Sequence, residues 1–155
     1  MPRMTAQQIK GLPIDTRVSI VERTATAKTL IKEATESLED QFAEHVARYG
    51  LPEPVRQFKF DDTPVDWRWD FAFEKYKLLV EINGGIYQNP PTGHRSVRGL
   101  VRDYAKLNAA TARGWWSMTF ETKAVESGEA VRTVQEFIFE FDKLAAAGVT
   151  RRALA

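Results

Sequence analysis

The stretch WRWDFAFEKYKLLVEIN, residues 67–83, constrains the fold of this chain more than any other part of the sequence. Its first half alternates aromatic residues with polar or small ones, and its second half is a short apolar run. Alternation with period two and short apolar runs both predict β-strands, here at 67–73 and 78–83. Each predicted strand nevertheless carries an acid, Asp70 in the first and Glu81 in the second. Two strands that are apolar enough to form a core and yet hold acids raise the question of what these acids do.

An antiparallel hairpin in which Phe73 pairs with Leu78 brings the two acids together. That register places Asp70 opposite Glu81, with their side-chain roots roughly 5 Å apart, where like charges are destabilising. It also places Arg68 opposite Asn83, and we expect the other face of the hairpin to be an apolar wall of Trp69, Phe71, Val80 and Ile82. A slip of one residue would move one acid to that other face.

The opposed carboxylates have two interpretations, and the hairpin alone leaves both open. In the first, the acids lie on a solvated sheet face and Arg68 neutralises them. In the second, the pair binds a divalent cation, since carboxylate oxygens suit Mg²⁺ or Mn²⁺ and Mg²⁺ typically uses one or two protein carboxylates plus waters. Such an ion can activate water and stabilise charge that develops on a phosphate.

Composition limits the remaining choices. The chain has 155 residues, 43% of them hydrophobic and 28% charged, as expected for one soluble globular domain. No apolar run approaches the roughly 18 residues of a membrane span, and the first residues lack the apolar stretch of a secretory signal. The absence of cysteine excludes disulfides, thiolate zinc sites and a cysteine nucleophile, and it is consistent with a cytoplasmic location. The net charge of +1 does not indicate a polyanionic partner, although the segment 84–99 is basic and contains no acid.

The order of predicted elements is α-β-β-β-α-β-α, a mixed α/β or α+β domain. We expect an N-terminal arm at 1–25, a domain at 26–147 and a C-terminal tail at 148–155. Within the domain we predict helices and strands at the following positions: a helix at 28–49, strands at 55–60, 67–73 and 78–83, a Gly/Pro-rich loop at 84–99, a helix at 97–113, a strand at 115–120, and a last helix capped by Ser127.

These elements carry a series of short motifs in a recognisable order. They are Glu39, Arg56-Gln57, Asp70-Phe71, Glu81-Ile82-Asn83-Gly84-Gly85, Asp103-x-x-Lys106 and Gly114-Trp115. Over residues 36–140 the series resembles the PD-(D/E)xK nuclease superfamily, and within it the branch of very-short-patch-repair-like and small phage endonucleases. The resemblance implies a restriction-endonuclease-like αβββαβ core, a mixed central sheet flanked by helices.

The resemblance also implies a metal site. Asp70 and Glu81 would bind Mg²⁺ or Mn²⁺ together with the backbone carbonyl of Ile82, and Glu39 would be an outer ligand through water. Asn83 stands where the superfamily usually has lysine, and an amide can neither act as a general base nor carry positive charge. Lys106, one helical turn after Asp103, is the candidate for a migrated cation; the alternative is an Asp103–Lys106 surface ion pair of a few tenths of a kcal/mol.

Other residues are candidates for contacts with a nucleic acid. Gln57 would neighbour Asp70 and orient a phosphate or water if Phe60 pairs with Trp67. In the basic loop, His94 would assist the leaving group or bind phosphate, or would be an exposed loop histidine. Arg95 and Arg98 are candidates for contacts with backbone phosphates.

The activity that the resemblance implies is metal-dependent hydrolysis of phosphodiester bonds in DNA. Without cysteine for a structural zinc site, mismatch nicking is not favoured, whereas a Holliday junction resolvase acting as a homodimer, or a nickase, remains open. The departure at Asn83 leaves open a second function, a catalytically inactive nucleic-acid-binding module of the same fold. A third is a structural or protein-interaction domain whose paired acids are simply solvated.

Overall fold

The computed structural model describes residues 14–63, 65–84 and 97–149. The chain divides into two compact units, Met1–Ala34 and Thr35–Ala155. In the first unit, residues 14–34 form part of a long helix. The second unit contains the sheet, the hydrophobic core and the candidate site.

The described elements form a mixed four-stranded sheet with flanking helices, which confirms the predicted α+β class. They are α1 (Ile14–Arg48), β1 (Val55–Phe58), β2 (Trp69–Phe73), β3 (Leu78–Asn83), α2 (Val97–Ala112), β4 (Trp116–Glu121), α3 (Thr122–Glu126) and α4 (Glu129–Ala146). A single 3-10 turn, Glu74–Tyr76, joins β2 to β3. Lys77 closes that turn in the left-handed region, at φ 50°.

The strands lie in the order β1-β2-β3-β4. The first two pairs are antiparallel, and β3 pairs with β4 in parallel, as expected for strands joined by a crossover helix. The β2–β3 register, with Phe73 opposite Leu78 and Phe71 opposite Val80, is the one that the sequence predicts.

Both faces of the sheet are buried. On one face, α1 and α4 pack against alternate residues of the central strands, and the cluster includes Leu38, Phe42, Val46, Phe71, Phe73, Leu78, Val80, Ile82, Val131, Val134 and Ile138. On the other face, Ala110 of α2 packs with Phe60, Trp69, Ala72, Leu79 and Trp115. Helices therefore cover both sides of the sheet, and the apolar residues of the hairpin are divided between the two faces instead of forming one apolar wall.

The predicted position of Trp69 is wrong for a local reason. Trp69 and Phe71 are two residues apart, yet Trp69 packs with Leu79 on the α2 face and Phe71 packs with Phe42 on the other. The period-two alternation is therefore interrupted at Asp70, between them. Opposite Asp70, β1 has Gln57 in the left-handed region at φ 51°, a conformation that side chains other than glycine rarely adopt.

Two helix boundaries also differ from the prediction. α1 begins at Ile14, well before residue 28, and no glycine or proline interrupts residues 14–49. Gly128, at φ 74°, and not Ser127 is the N-cap residue of α4, although Ser127 Oγ accepts a hydrogen bond from the N–H of Glu129 at 3.4 Å. Directly after β4, Glu121 accepts hydrogen bonds from the N–H groups of Lys123 and Ala124, which starts the short α3. The domain boundaries at residues 25 and 147 stay predictions.

None of the helices in the described ranges is both long and apolar enough to cross a membrane.

Candidate active site

Asp70 lies where the hydrogen-bonded ladder between β2 and β3 ends. The last recorded pair is Phe71 with Val80, and beyond it the backbone N–H of Ile82 donates to Asp70 Oδ2 at 2.7 Å. The carboxylate thus takes the place of a backbone acceptor on the neighbouring strand. A hydrogen bond from a backbone N–H to a charged acceptor is stronger than a neutral one, so this contact fixes the orientation of the Asp70 side chain.

Glu81 lies on β3 beside that break, and α2 supplies its partner. Lys106 Nζ donates to Glu81 Oε1 and, at 2.5 Å, to the backbone carbonyl of Arg68. The same ammonium lies 4.9 Å from the centroid of the Trp69 ring, within cation–π range. The Lys106 side chain is 13% exposed and that of Glu81 is 32% exposed, so this ion pair is partly removed from solvent. The structure therefore brings Lys106 to the acid of β3, and its chemical role stays a prediction.

A third acid approaches from α1. Glu39 is 8% exposed and accepts a hydrogen bond from Gln57 Nε2 at 3.2 Å. Arg56 bridges Glu39, at 3.6 Å, and Asp40, at 2.7 Å. The β1–β2 register, in which Arg56 faces Phe71, places Gln57 opposite Asp70 as the sequence suggested. Gln57 therefore lies between the carboxylates of α1 and β2.

Burial makes negative charge unfavourable in this cluster. It raises the pKa of Asp70, and the charge of Glu81 raises it further, while the Ile82 N–H, the Lys106 ammonium and the Gln57 amide act in the opposite direction. Burial also raises the pKa of Glu39, and the charge of Asp70 adds to that shift against the opposing effect of Arg56 and Gln57. Carboxyl groups whose pKa values are raised by burial and by each other are typical of functional sites. The interpretation of the acids as a solvated sheet face does not fit these environments.

The donor set fits a hard divalent cation. Asp70 and Glu81 come from neighbouring strands, the charge of Glu81 acts on Asp70, and Glu81 already pairs with one positive charge, the ammonium of Lys106. Across residues 14–63, 65–84 and 97–149, no group of three or more His, Cys, Asp or Glu side chains is arranged to hold a metal. Two carboxylates completed by water or substrate oxygens are the usual Mg²⁺ arrangement, so the pair is sufficient for Mg²⁺ without a third acid. Ile82 and Glu39 as further ligands stay predictions.

The other predicted residues lie at the margin of this cluster or outside the described part of the chain. Asn83 ends β3 opposite Glu121 of β4, whose carboxylate caps α3. His94 and Arg95 are outside the described residues, and so is the side chain of Arg98, although residue 98 belongs to α2. Their roles stay predictions.

Two contributions to the cluster were not apparent from the sequence. The carbonyl of Arg68 accepts from Lys106, and no sequence pattern indicates a backbone acceptor of this kind. Trp69 fulfils the prediction of a core residue, being 1% exposed, but its ring also contacts the Lys106 ammonium. The sequence does not indicate this second role, because the alternation of faces is interrupted at Asp70 and Trp69 therefore lies on the α2 face, opposite to the predicted one.

Comparisons with known proteins find a structural similarity but no matching family. No family model matches the chain, and no curated protein matches it. The structure is similar to a solved structure titled Homing Endonuclease I-Bth0305I Catalytic Domain, with 19% sequence identity, a TM-score of 0.48, and coverage of 64% of this chain and 91% of that chain.

Proposed function

We propose that this protein is a divalent-metal-dependent DNA endonuclease that hydrolyses phosphodiester bonds, with Asp70 and Glu81 holding Mg²⁺ or Mn²⁺. One observation carries the proposal: the carboxylates of Asp70 and Glu81 lie on adjacent strands where the β2–β3 ladder ends, the charge of Glu81 acts on Asp70, and the Lys106 ammonium pairs with Glu81. Burying negative charge is costly unless a cation or hydrogen bonds compensate it. Binding of a divalent cation between Asp70 and Glu81 would compensate this cost.

The residues of the cluster divide the chemistry between them. A bound divalent ion supplies Lewis-acid stabilisation of a phosphate oxygen and lowers the pKa of an attacking water. Asp70 is held in place by the Ile82 N–H, so its carboxylate needs no reorganisation to act as a ligand. Lys106 supplies the positive charge that Asn83 cannot, next to Glu81 and at the point where negative charge on a phosphate would develop. Gln57, hydrogen-bonded to Glu39, orients water or phosphate beside Asp70.

The proposal also includes the contacts of the basic loop with DNA and the kind of DNA that is cut. His94, Arg95 and Arg98 would contact backbone phosphates, which fix the position of DNA without reading its sequence. The expected activity is cleavage of branched DNA, as by a Holliday junction resolvase, or the cutting of one strand of a duplex, as by a nickase, and a cytoplasmic homodimer is the expected form of the enzyme.

One observation favours a second candidate, a nucleic-acid-binding module without catalysis. Asn83, the last residue of β3, stands where the PD-(D/E)xK nucleases that the sequence resembles usually have lysine, and an amide brings no charge to the site. The position of Lys106 against Glu81 favours the active enzyme, because an ammonium is present there from another element.

Cleavage assays on supercoiled plasmid and on a synthetic four-way junction separate these functions. We expect cutting in Mg²⁺ or Mn²⁺, none in EDTA, and a loss of about a hundredfold or more in Asp70→Asn and Glu81→Gln, by analogy with the removal of one transition-state-stabilising group. Asp142→Asn is the matched control, since Asp142 pairs with Lys75 beyond the other end of the hairpin. Cleavage that persists in both site variants contradicts the proposed site, and DNA binding without cleavage in the unmodified protein supports the second candidate.

A further inference from the structure

Lys106 is held by three partners, and only one of them is a proposed metal ligand. Its ammonium donates to Glu81 Oε1 and to the Arg68 carbonyl, and it lies over the Trp69 ring. An ammonium has three N–H donors and no acceptor. Two of these donors are hydrogen-bonded to protein oxygens, and the charge also lies over an aromatic ring. With 13% of its side chain exposed, Lys106 is anchored inside the site and does not extend into solvent.

A divalent cation and this ammonium need the same carboxylate. Glu81 in the described geometry uses Oε1 to accept from Lys106, and the ammonium would lie next to any ion that Glu81 coordinates. Two cations at such a distance repel each other strongly in a site that is partly removed from water. The ammonium must therefore move away from Glu81, or the ion binds weakly.

The two remaining partners determine where the ammonium goes. Trp69 is the first residue of β2 and Arg68 directly precedes it, so neither the Arg68 carbonyl nor the Trp69 ring depends on the side chain of Glu81, and we expect both to stay in place when Glu81 turns to an ion. They keep the freed ammonium at the edge of the site, with the donor that Glu81 occupied now available. A phosphate oxygen is a strong acceptor for a lysine ammonium.

We propose that Lys106 competes with the divalent cation for Glu81, so that metal binding releases its ammonium toward the substrate phosphate. The inference rests on the proposed function for the identity of the metal ligands. It adds that the lysine lowers the metal affinity of the free protein and raises the rate of cleavage once the metal is bound.

This exchange gives two effects of opposite sign in one variant. Lys106→Met keeps most of the aliphatic stem and removes the charge. We expect it to bind Mn²⁺ about tenfold more tightly than the unmodified chain, the fold-change that corresponds to losing one competing charge-assisted hydrogen bond. Its cleavage rate at saturating Mn²⁺ should instead fall at least tenfold. If Lys106 only stabilised the fold, Lys106→Met would weaken both Mn²⁺ binding and cleavage.

Calorimetric titration of the full chain with MnCl₂, after EDTA treatment and without DNA, measures the first effect. Lys106→Arg, which keeps the positive charge, should bind Mn²⁺ as weakly as the unmodified protein. Lys75→Met is the matched control, because it also removes a lysine from an ion pair, with Asp142 at 3.0 Å, and should leave the affinity unchanged. Urea unfolding of each variant shows which ones are folded.

A second measurement needs no substitution. In the unmodified protein, titration with diamagnetic Mg²⁺ should shift the indole N–H resonance of Trp69, because the ammonium over its ring moves. The resonance of Trp116, on β4 and 44% exposed, serves as the reference. A Trp69 resonance that stays fixed while Mg²⁺ binds overturns the proposal even if Lys106→Met fails to fold.

The outcomes distinguish this inference from the proposed function. Equal or weaker Mn²⁺ binding by folded Lys106→Met overturns the competition, whether or not the protein cleaves DNA. Tighter binding by Lys106→Met with no cleavage by the unmodified enzyme supports the competition and refutes the nuclease. If no variant binds Mn²⁺, both are wrong.

Discussion

Replacing Asp70 with asparagine should stabilise the metal-free protein at neutral pH. The substitution keeps the shape of the side chain and an oxygen that can accept from the Ile82 N–H at 2.7 Å. What it removes is the charge. The native environment disfavours that charge, because burial and the charge of Glu81 raise the pKa of Asp70 more than the Ile82, Lys106 and Gln57 contacts lower it.

The magnitude follows from contributions of opposite sign. A hydrogen bond to a charged acceptor is worth about 1 kcal/mol more than a neutral one, so asparagine loses roughly that amount at Ile82. Two like charges about 5 Å apart in a medium of dielectric constant about 20 repel by roughly 3 kcal/mol, which sets the scale for the effect of Glu81 on Asp70. The attraction of Lys106 opposes this repulsion. Removing the desolvation penalty then decides the sign. We expect a net gain on the order of 1 kcal/mol in the free energy of unfolding.

The gain should depend on pH in a defined direction. Because the pKa of Asp70 is higher in the folded state than the ordinary value of 3.8, the folded protein binds more protons than the unfolded chain between the two values. This residue's contribution to stability therefore falls as the pH rises through that window. Asp70→Asn should be more stable than the unmodified protein above the window, and the advantage should vanish as the pH approaches 3.8.

Urea unfolding in EDTA, followed by circular dichroism at several pH values, measures both effects. Asp142→Asn is the control with the opposite expected sign, because hydrogen bonding from Lys75, with a smaller effect of Tyr76, lowers the pKa of Asp142. That variant should lose stability at neutral pH. An Asp70→Asn protein that is less stable than the unmodified one at pH 7 would refute the argument that the native site disfavours its own charge.

Three further predictions test other parts of the account. Phe71→Ala should lower the free energy of unfolding in urea by about 3–5 kcal/mol, since Phe71 is fully buried and its ring centroid lies 5.0 Å from that of Phe42. Phe139→Ala, at a side chain that is 67% exposed, should change it by less than about 0.5 kcal/mol. Equal losses in the two variants would contradict the assigned core. Gln57→Ala removes the 3.2 Å hydrogen bond to Glu39, so the pKa of Glu39 should rise further in a ¹³C carboxyl titration, whereas an unchanged pKa would show that the amide does not support that charge. Raising NaCl from 50 to 200 mM should weaken DNA binding at least tenfold if phosphate contacts dominate, and salt-independent binding in a filter assay would contradict such an interface.

The sequence predicts the sheet well because its signals are local. Alternation in 67–73 and the apolar run in 78–83 specify two strands, and the connection between them specifies their register. That register, Phe73 opposite Leu78, is the one observed, and it puts Asp70 and Glu81 at the same end of the hairpin. The position of Lys106 against Glu81 depends on how α2 packs, which only the resemblance suggested.

The errors arise where tertiary structure overrides a periodic pattern. Trp69 and Phe71 look like neighbours on one face, but the change at Asp70 places them on opposite faces of the sheet. The positive φ of Gln57 has no signal in its residue type, because glutamine is not a residue that favours this region. The packing of α2 on the second face of the sheet could not be predicted either, because its residue in that cluster is the small Ala110 and not a long apolar stripe.

Anomalous diffraction from crystals grown with Mn²⁺ tests the central claim most directly. We expect a manganese peak within about 2.0–2.3 Å of carboxylate oxygens of both Asp70 and Glu81, the range for a small divalent ion with oxygen ligands. In the same crystal, Lys106 should no longer donate to Glu81. A peak bound by other residues, or Glu81 still paired with Lys106 at saturating Mn²⁺ with no peak beside it, would contradict the assignment of these two acids as a metal centre.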